Sequence, residues 1–280
     1  MPESAAITAH LPLPAVRRRP AVSRMLGNET LKGLLKLRAS WGTLVPELAV
    51  LVVFYLMLQF LLGDGRLVPA LYAPTLIGFA SYGLAYIVTL RMVAGTLEEM
   101  NAGTLEQLHL SPLPSWVLSL GRLGAAVIEA GGLVALVSLA LILVLGIHFT
   151  YRPDALVPVG LIIVDVAGFG LLLGALAIRV NSIGAILHVL QGMIVFLNGA
   201  FIPVGVFPSW LQLVARIAPT TLGVEVSRKV LLQGGSLRSA WSDGSLIWLF
   251  VHSAAMLIAG AALYQMAIRR GLREGRLGPR

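Results

Sequence analysis

Cysteine is absent from the 280 residues, which excludes disulfide scaffolds, thiol nucleophiles and cysteine-held zinc together. Charge is scarce. Only 12% of the residues are charged and 57% are hydrophobic, whereas a soluble domain carries roughly 25% charged residues. The chain has about half the polar surface that water requires, so a cytosolic globular enzyme, a disordered chain and a coiled-coil rod are excluded. Lysine occurs three times, as Lys32, Lys36 and Lys229, after Leu31, Leu35 and Arg228 and never after glycine. No phosphate-cradling Gly-x-x-x-x-Gly-Lys-Ser/Thr loop therefore exists. No histidine precedes a glutamate, which removes the helical zinc-protease motif. The four aspartates (Asp64, Asp154, Asp165, Asp243) are scattered, three of them in expected external loops, so no acidic cluster for magnesium forms on the inner face. No catalytic, cofactor-binding or metal site is expected on this chain.

What is present is long apolar runs. A hydrocarbon core of about 30 Å needs roughly 20 apolar helical residues. Six segments qualify: 44–62, 71–90, 116–146, 156–178, 183–201 and 246–268. The runs are continuous, without the alternation of a barrel strand, so helices are expected. The first 43 residues hold Pro12, Pro14 and Arg17-Arg18-Arg19 but no apolar core resembling a signal peptide. The net charge of +8 points to an anionic membrane face rather than to nucleic acid. With both termini in the cytoplasm, fifteen of the 21 Lys and Arg residues lie inside and six outside. The expected protein is an all-α integral membrane protein of the plasma membrane with six spans, 42–268, between basic cytoplasmic tails at 1–22, expected to be disordered, and 269–280.

Residues 23–41 read as an amphipathic helix lying on the cytoplasmic surface. Leu26, Leu31, Leu34, Leu35, Leu37 and Trp41 share one side; Lys32 and Lys36 stand opposite, and Arg24 and Arg38 flank the apolar face. An ordinary basic juxtamembrane helix is the alternative. Between the second and third spans, Thr96-Leu97-Glu98-Glu99 and Thr104-Leu105-Glu106-Gln107 each have the form of a capping box, with Gly103 between them and Pro112 and Pro114 stopping the second helix. This acidic helical loop, 96–112, reads as a docking surface or as a solvated turn. After the fifth span, Asn198-Gly199, Pro203, Gly205, Pro208 and Pro219 bracket a short apolar piece at 210–215. The region 199–222 is expected to be an extracellular re-entrant hairpin, a plain external hairpin being the other reading. Glu47, Glu129, Asp165, His188 and His252 are the ionisable residues inside spans, and Glu129, Asp165 and His188 are candidates for a translocation path. Gly170 and Gly174 permit close helix approach.

On these residues the chain resembles the permease subunits of ABC-2 type transporters. That family's loop after the second span reads Glu-Arg-Glu-x-Gly-Thr-x-Glu-x-Leu and then a proline. Here it stands as Glu98-Glu99-Met100-Asn101-Ala102-Gly103-Thr104-Leu105-Glu106-Gln107-Leu108 followed by Pro112, with Met100 and Asn101 where the family carries charge. The outer segment through Phe201, Pro203, Phe207, Pro208, Trp210 and Pro219 is similar to the family's re-entrant motif. The resemblance implies a dimer of permeases, identical or not, bound to two ATPase subunits that carry the ATP and magnesium. It implies that Glu98, Glu99, Gly103, Thr104, Leu105, Glu106, Gln107, Leu108 and Pro112 form a coupling helix, braced by the interfacial helix with Arg24, Lys32, Lys36, Arg38 and Trp41. The outer segment would act as a gate.

Aromatics are sparse, 7% of the chain, and are expected near the membrane faces and outer loops. A sugar-conducting channel would need more, so the expected cargo is a hydrophobic or amphipathic compound, a drug, an antibiotic or a lipid, as for the daunorubicin-resistance-type permeases the chain resembles. Export of a lipid-linked glycan by the same kind of complex is the alternative. An ATP-independent secondary transporter would need matched inverted repeats, and only the outer end of the fifth span is broken.

Overall fold

The structure, a computed structural model, describes residues 41–103, 115–149, 152–180 and 182–274, together with Ser23, Arg24, Gly27, Asn28, Thr30, Leu31, Lys32 and Leu35. Every regular element among them is helical: α1 (Trp41–Leu62), α2 (Pro69–Asn101), α3 (Ser115–Leu145), α4 (Leu156–Arg179), α5 (Ile183–Leu197), α6 (Ser209–Ile217), α7 (Thr221–Leu231), α8 (Leu237–Ser242) and α9 (Ser245–Arg273). Short 3-10 turns at Pro153–Ala155 and Val204–Val206 precede α4 and α6.

Among the described residues five helices (α1, α2, α3, α4 and α9) are long and apolar enough to cross a bilayer. The fifth expected span is different. The run 183–201 forms a helix of only 15 residues, α5, because Asn198 and Gly199 end it. At 1.5 Å per residue α5 is about 22 Å long, short of a hydrocarbon core of about 30 Å. The second span is corrected in the opposite direction. Expected to stop at Leu90, it continues as one 33-residue helix to Asn101, about 50 Å in all. Thr96 is therefore an interior residue of α2 and caps no new helix; its hydroxyl donates to the Met92 carbonyl one turn back, 2.8 Å away.

α2 and α4 form the centre, each with 72% of its apolar stretch buried, while α1 and α9 have 22% and α3 has 33%. α4 and α9 run parallel with their backbones in contact: a Cβ on Gly260 would stand 2.1 Å from the Gly168 carbonyl oxygen. Gly170 faces Val88 and Met92 of α2, and Gly174 faces the Tyr264 ring of α9, so this glycine pair serves packing within the chain. The contacts put the starts of α2, α4 and α9 at one end of the bundle and their finishes at the other. α1, α3 and α5 run the opposite way.

At the amino-terminal side, the described residues between 23 and 35 are helical, and the Thr30 hydroxyl donates to the Gly121 carbonyl of α3 at 3.3 Å. Leu31 and Leu35 are exposed, as is Lys32. Trp41 opens α1 instead of closing the preceding helix. Residues 1–22, Lys36, Arg38, Thr104 to Pro112 and the end of the basic carboxyl tail fall outside the described residues.

Candidate functional site

Polar clusters at three depths tie the apolar helices together. At the Asn101 end, Arg122 of α3 donates to Thr96 Oγ1 at 3.2 Å, pairs with the Glu99 carboxylate and lies against Tyr264 of α9. Glycine makes room for it, since a Cβ on Gly95 would sit 3.1 Å from the Arg122 Cδ. Past Glu98 and Glu99, α2 ends at Asn101, and the chain turns at Gly103, whose φ of 65° lies in the left-handed region that favours glycine. Arg122 joins three helices immediately below the segment expected to couple.

About two-thirds of the way along α2, Arg91 bonds two carboxylates. Its Nε donates to Glu129 Oε1 of α3 at 2.8 Å, and its Nη2 reaches Glu47 of α1 at 3.1 and 3.2 Å. The Glu129 side chain is 6% exposed, so its charge needs that partner; Arg91 and Glu47 are about one-third exposed. Arg91 lies within α2, ten residues before its end. On the other side of α2, Gln191 of α5 donates to the Tyr86 carbonyl and to Thr89 Oγ1 at 3.2 and 3.1 Å.

Along the α1–α2 seam runs a chain of rings: Tyr55 to Phe79 at 5.3 Å, Phe79 to Tyr82 at 6.3 Å and Tyr82 to Tyr86 at 5.9 Å, with Phe54 against both Phe79 and Tyr82. The rings of Phe79, Tyr82 and Tyr86 lie between about 15 and 25 Å from the start of α2. Most of the aromatics are expected near the membrane faces and outer loops; these five lie together along the α1–α2 seam.

At the Pro69 end, the segment from Asn198 to Leu231 folds back against α2, α4 and α9. Asn198 donates to the Gly78 carbonyl at 2.9 Å and accepts the Ala200 amide at 2.9 Å. Arg228 of α7, read from sequence as an external charge, donates to the Pro74 carbonyl at 2.6 Å and the Gly199 carbonyl at 2.7 Å. α6 lies outermost, with Trp210, Leu213, Val214 and Ile217 exposed along one stripe and Ala215 buried beneath. Pro219 leads into Thr220, a β-branched residue held at φ 74°, which costs roughly 1–2 kcal/mol. The Thr220 amide donates to Asp165 Oδ2 of α4 at 2.9 Å. His252 of α9 places Nδ1 3.1 Å from Asp165 Oδ1 and Nε2 3.1 Å from the Ile217 carbonyl.

The candidates for a translocation path thus sit in three environments. Glu129 belongs to the Arg91 cluster, Asp165 to the outer turn, and His188 to the exposed face of α5. Phe201 stacks on Phe196 at 4.9 Å, and Pro203, Phe207 and Pro208 flank the Val204–Val206 turn beside α6. Arg91, Arg122 and Arg228 count in the sequence only for orientation, Thr220 falls within the expected re-entrant region, and Gln191 and Tyr264 have no signal there beyond being polar or aromatic in an apolar stretch. Among the described residues no group of three His, Asp or Glu could hold a metal.

Residues 30–232 match the family described as ABC-2 type transporter. Two curated Escherichia coli proteins, from strain K12 and from O157:H7, both named "Probable multidrug ABC transporter permease YbhR", are 31% identical to the chain over 207 residues, covering 70% of it. The chain aligns with about half of their length, 52%.

Proposed function

The chain belongs to the ABC-2 type transporter family, and on that premise we propose that it is the membrane-spanning permease subunit of an ATP-driven exporter whose ATPase is a separate polypeptide. The observation that carries this is the length of α2. A helix of about 50 Å cannot be contained in a hydrocarbon core of about 30 Å, so roughly 20 Å of it projects. Its projecting end carries Glu98, Glu99 and the Gly103 turn and is clamped to α3 and α9 through Arg122. A force on the loop 104–112 would travel along one rigid rod to the Arg91 cluster, to Gln191 of α5 and to the Asn198 turn. Differential contacts of a partner ATPase with that loop in its two nucleotide states would then bias the outer segment.

In this reading the Asn101 end and both termini are cytoplasmic, and α5 with the returning segment 198–231 completes a sixth crossing in broken pieces. Such irregular backbone at membrane depth is sheltered by α2, α4 and α9. The partner would be two ATPase subunits bringing ATP and magnesium, with a second permease copy or homologue. The cargo proposed is a hydrophobic or amphipathic compound, in keeping with the multidrug description of the relatives. The half-buried Tyr82 and Tyr86 rings favour a second reading, export of a lipid-linked glycan, because aromatic faces suit sugar rings.

The test is reconstitution with the ATPase that co-purifies with the full chain. Gly103→Pro cannot adopt the left-handed turn, and Glu106→Lys inverts a loop charge; both are expected to abolish cargo-stimulated ATP hydrolysis while the bundle stays folded. Full stimulation in either variant would overturn the lever.

A further inference from the structure

The outer cluster brings two titratable side chains, Asp165 and His252, into contact, and neither the family reading nor the lever requires that pair. A backbone carbonyl only accepts hydrogen bonds, so the Ile217 carbonyl at 3.1 Å demands a hydrogen on His252 Nε2. That leaves Nδ1 facing Asp165 Oδ1 at 3.1 Å. A bare Nδ1 would set its lone pair against a carboxylate oxygen with no donor between them. Neither atom has another hydrogen-bond partner, so each faces only the other. Asp165 is 1% exposed, and its other oxygen receives one amide, from Thr220. An ionised carboxylate so buried needs a counter-charge. Imidazolium beside carboxylate meets that need; neutral imidazole beside a protonated carboxyl also would. In both arrangements the pair holds one proton more than imidazole plus carboxylate.

We propose that Asp165 and His252 form a proton-binding site whose occupancy holds the turn between α6 and α7 against α4 and α9. With the proton bound, the pair is neutral and its three attachments stand together: Thr220 amide to Asp165, Asp165 to His252, and His252 to the Ile217 carbonyl. As pH rises and the proton leaves through the side chain of His252, which is 17% exposed, a net negative charge remains in the core. The imidazole then keeps one ring hydrogen, which can be donated to Asp165 or to the Ile217 carbonyl but not to both, so one of the three attachments is lost and the turn is held less tightly. Among the described residues no nearby cation replaces the proton. α2 has no charged residue in its first twenty positions, and α4 and α9 have none but this pair in their outer halves. On α7, Arg228 is committed to the Pro74 and Gly199 carbonyls and Lys229 to Asp243. Glu225 of α7 and Asp154 of the turn before α4 would oppose deprotonation, and Arg216 of α6 is exposed.

The absence of cysteine makes the test direct. Full chain bearing Leu213→Cys on α6 and Met266→Cys on α9, both exposed sites, is spin-labelled in lipid nanodiscs. The distance distribution is expected to lengthen and broaden from about pH 5 to about pH 9, on either side of the ordinary imidazole range. In Asp165→Asn the amide donates to Nδ1 without an added proton, so the distribution should stay compact throughout; a purely structural role would not lose its pH dependence in this isosteric variant. A wild-type distribution unchanged across that range, or a shift that persists in Asp165→Asn, overturns the site. If that variant does not fold, ¹⁵N spectra of the wild-type imidazoles decide, with His252→Gln as the assignment control. A His252 signal lacking a hydrogen on Nε2 at acidic pH also overturns it. Neither measurement involves cargo or ATP, so the proton site and the transport reading stand or fall separately.

Discussion

Arg91 is asked to balance two carboxylates of unequal burial, and the two should differ in cost when neutralised. Glu129→Gln removes the charge from a nearly enclosed position facing a guanidinium and should lose about 2–3 kcal/mol. Glu47→Gln, at 36% exposure, should lose less than about 1 kcal/mol. Thermal unfolding in detergent measures both; equal losses would mean that burial does not set the strength of this cluster. Thr220 gives the opposite sign. Its hydroxyl is buried without a partner, and its backbone is in a region that β-branched residues avoid. Thr220→Gly should therefore leave stability unchanged or raise it by up to about 1 kcal/mol, although the residue is fully buried. A loss larger than that would mean the methyl group packs more tightly than its neighbours indicate.

The helices were legible in the sequence because a segment apolar on every side has nowhere to go but lipid. Their ends were not. α2 runs eleven residues past Leu90 because Arg91, Thr96 and Glu99 find partners on α1 and α3, and those partners are distant in sequence. The Thr96 motif misleads for the same reason: a local pattern competes with a carbonyl already offered by the helix. α5 stops early because Asn198 bonds Gly78, 120 residues away. The Asp165–His252 and Arg228–Pro74 contacts are equally invisible to periodicity. The close approach at Gly168 and Gly260 was missed too, and it sets a demanding prediction. Gly260→Ala drives a methyl into the Gly168 carbonyl, so α4 and α9 must separate at a cost of about 1–3 kcal/mol. Gly131→Ala, where nothing stands within 4 Å, is the control and should cost little in the same unfolding assay.

Orientation rests on the distribution of basic residues, and it can be read chemically because the chain has no native thiol. Ser242→Cys and Asn101→Cys are exposed positions at opposite ends of the bundle. On intact cells an impermeant maleimide should modify the first and reach the second only after lysis. The reverse pattern would turn the protein over and remove the α2 projection from any cytoplasmic ATPase. One feature bears on the surrounding lipid as well. α5 presents Val189, Met193 and Phe196 outward but is the shortest apolar wall of the bundle, and the helix above it turns an oily stripe toward the acyl chains. Lipids against that wall must thin or splay to match it. If α5 is part of the sixth crossing proposed above, the bilayer is most deformed beside it, and an amphiphile diffusing around the protein would find its shallowest barrier there.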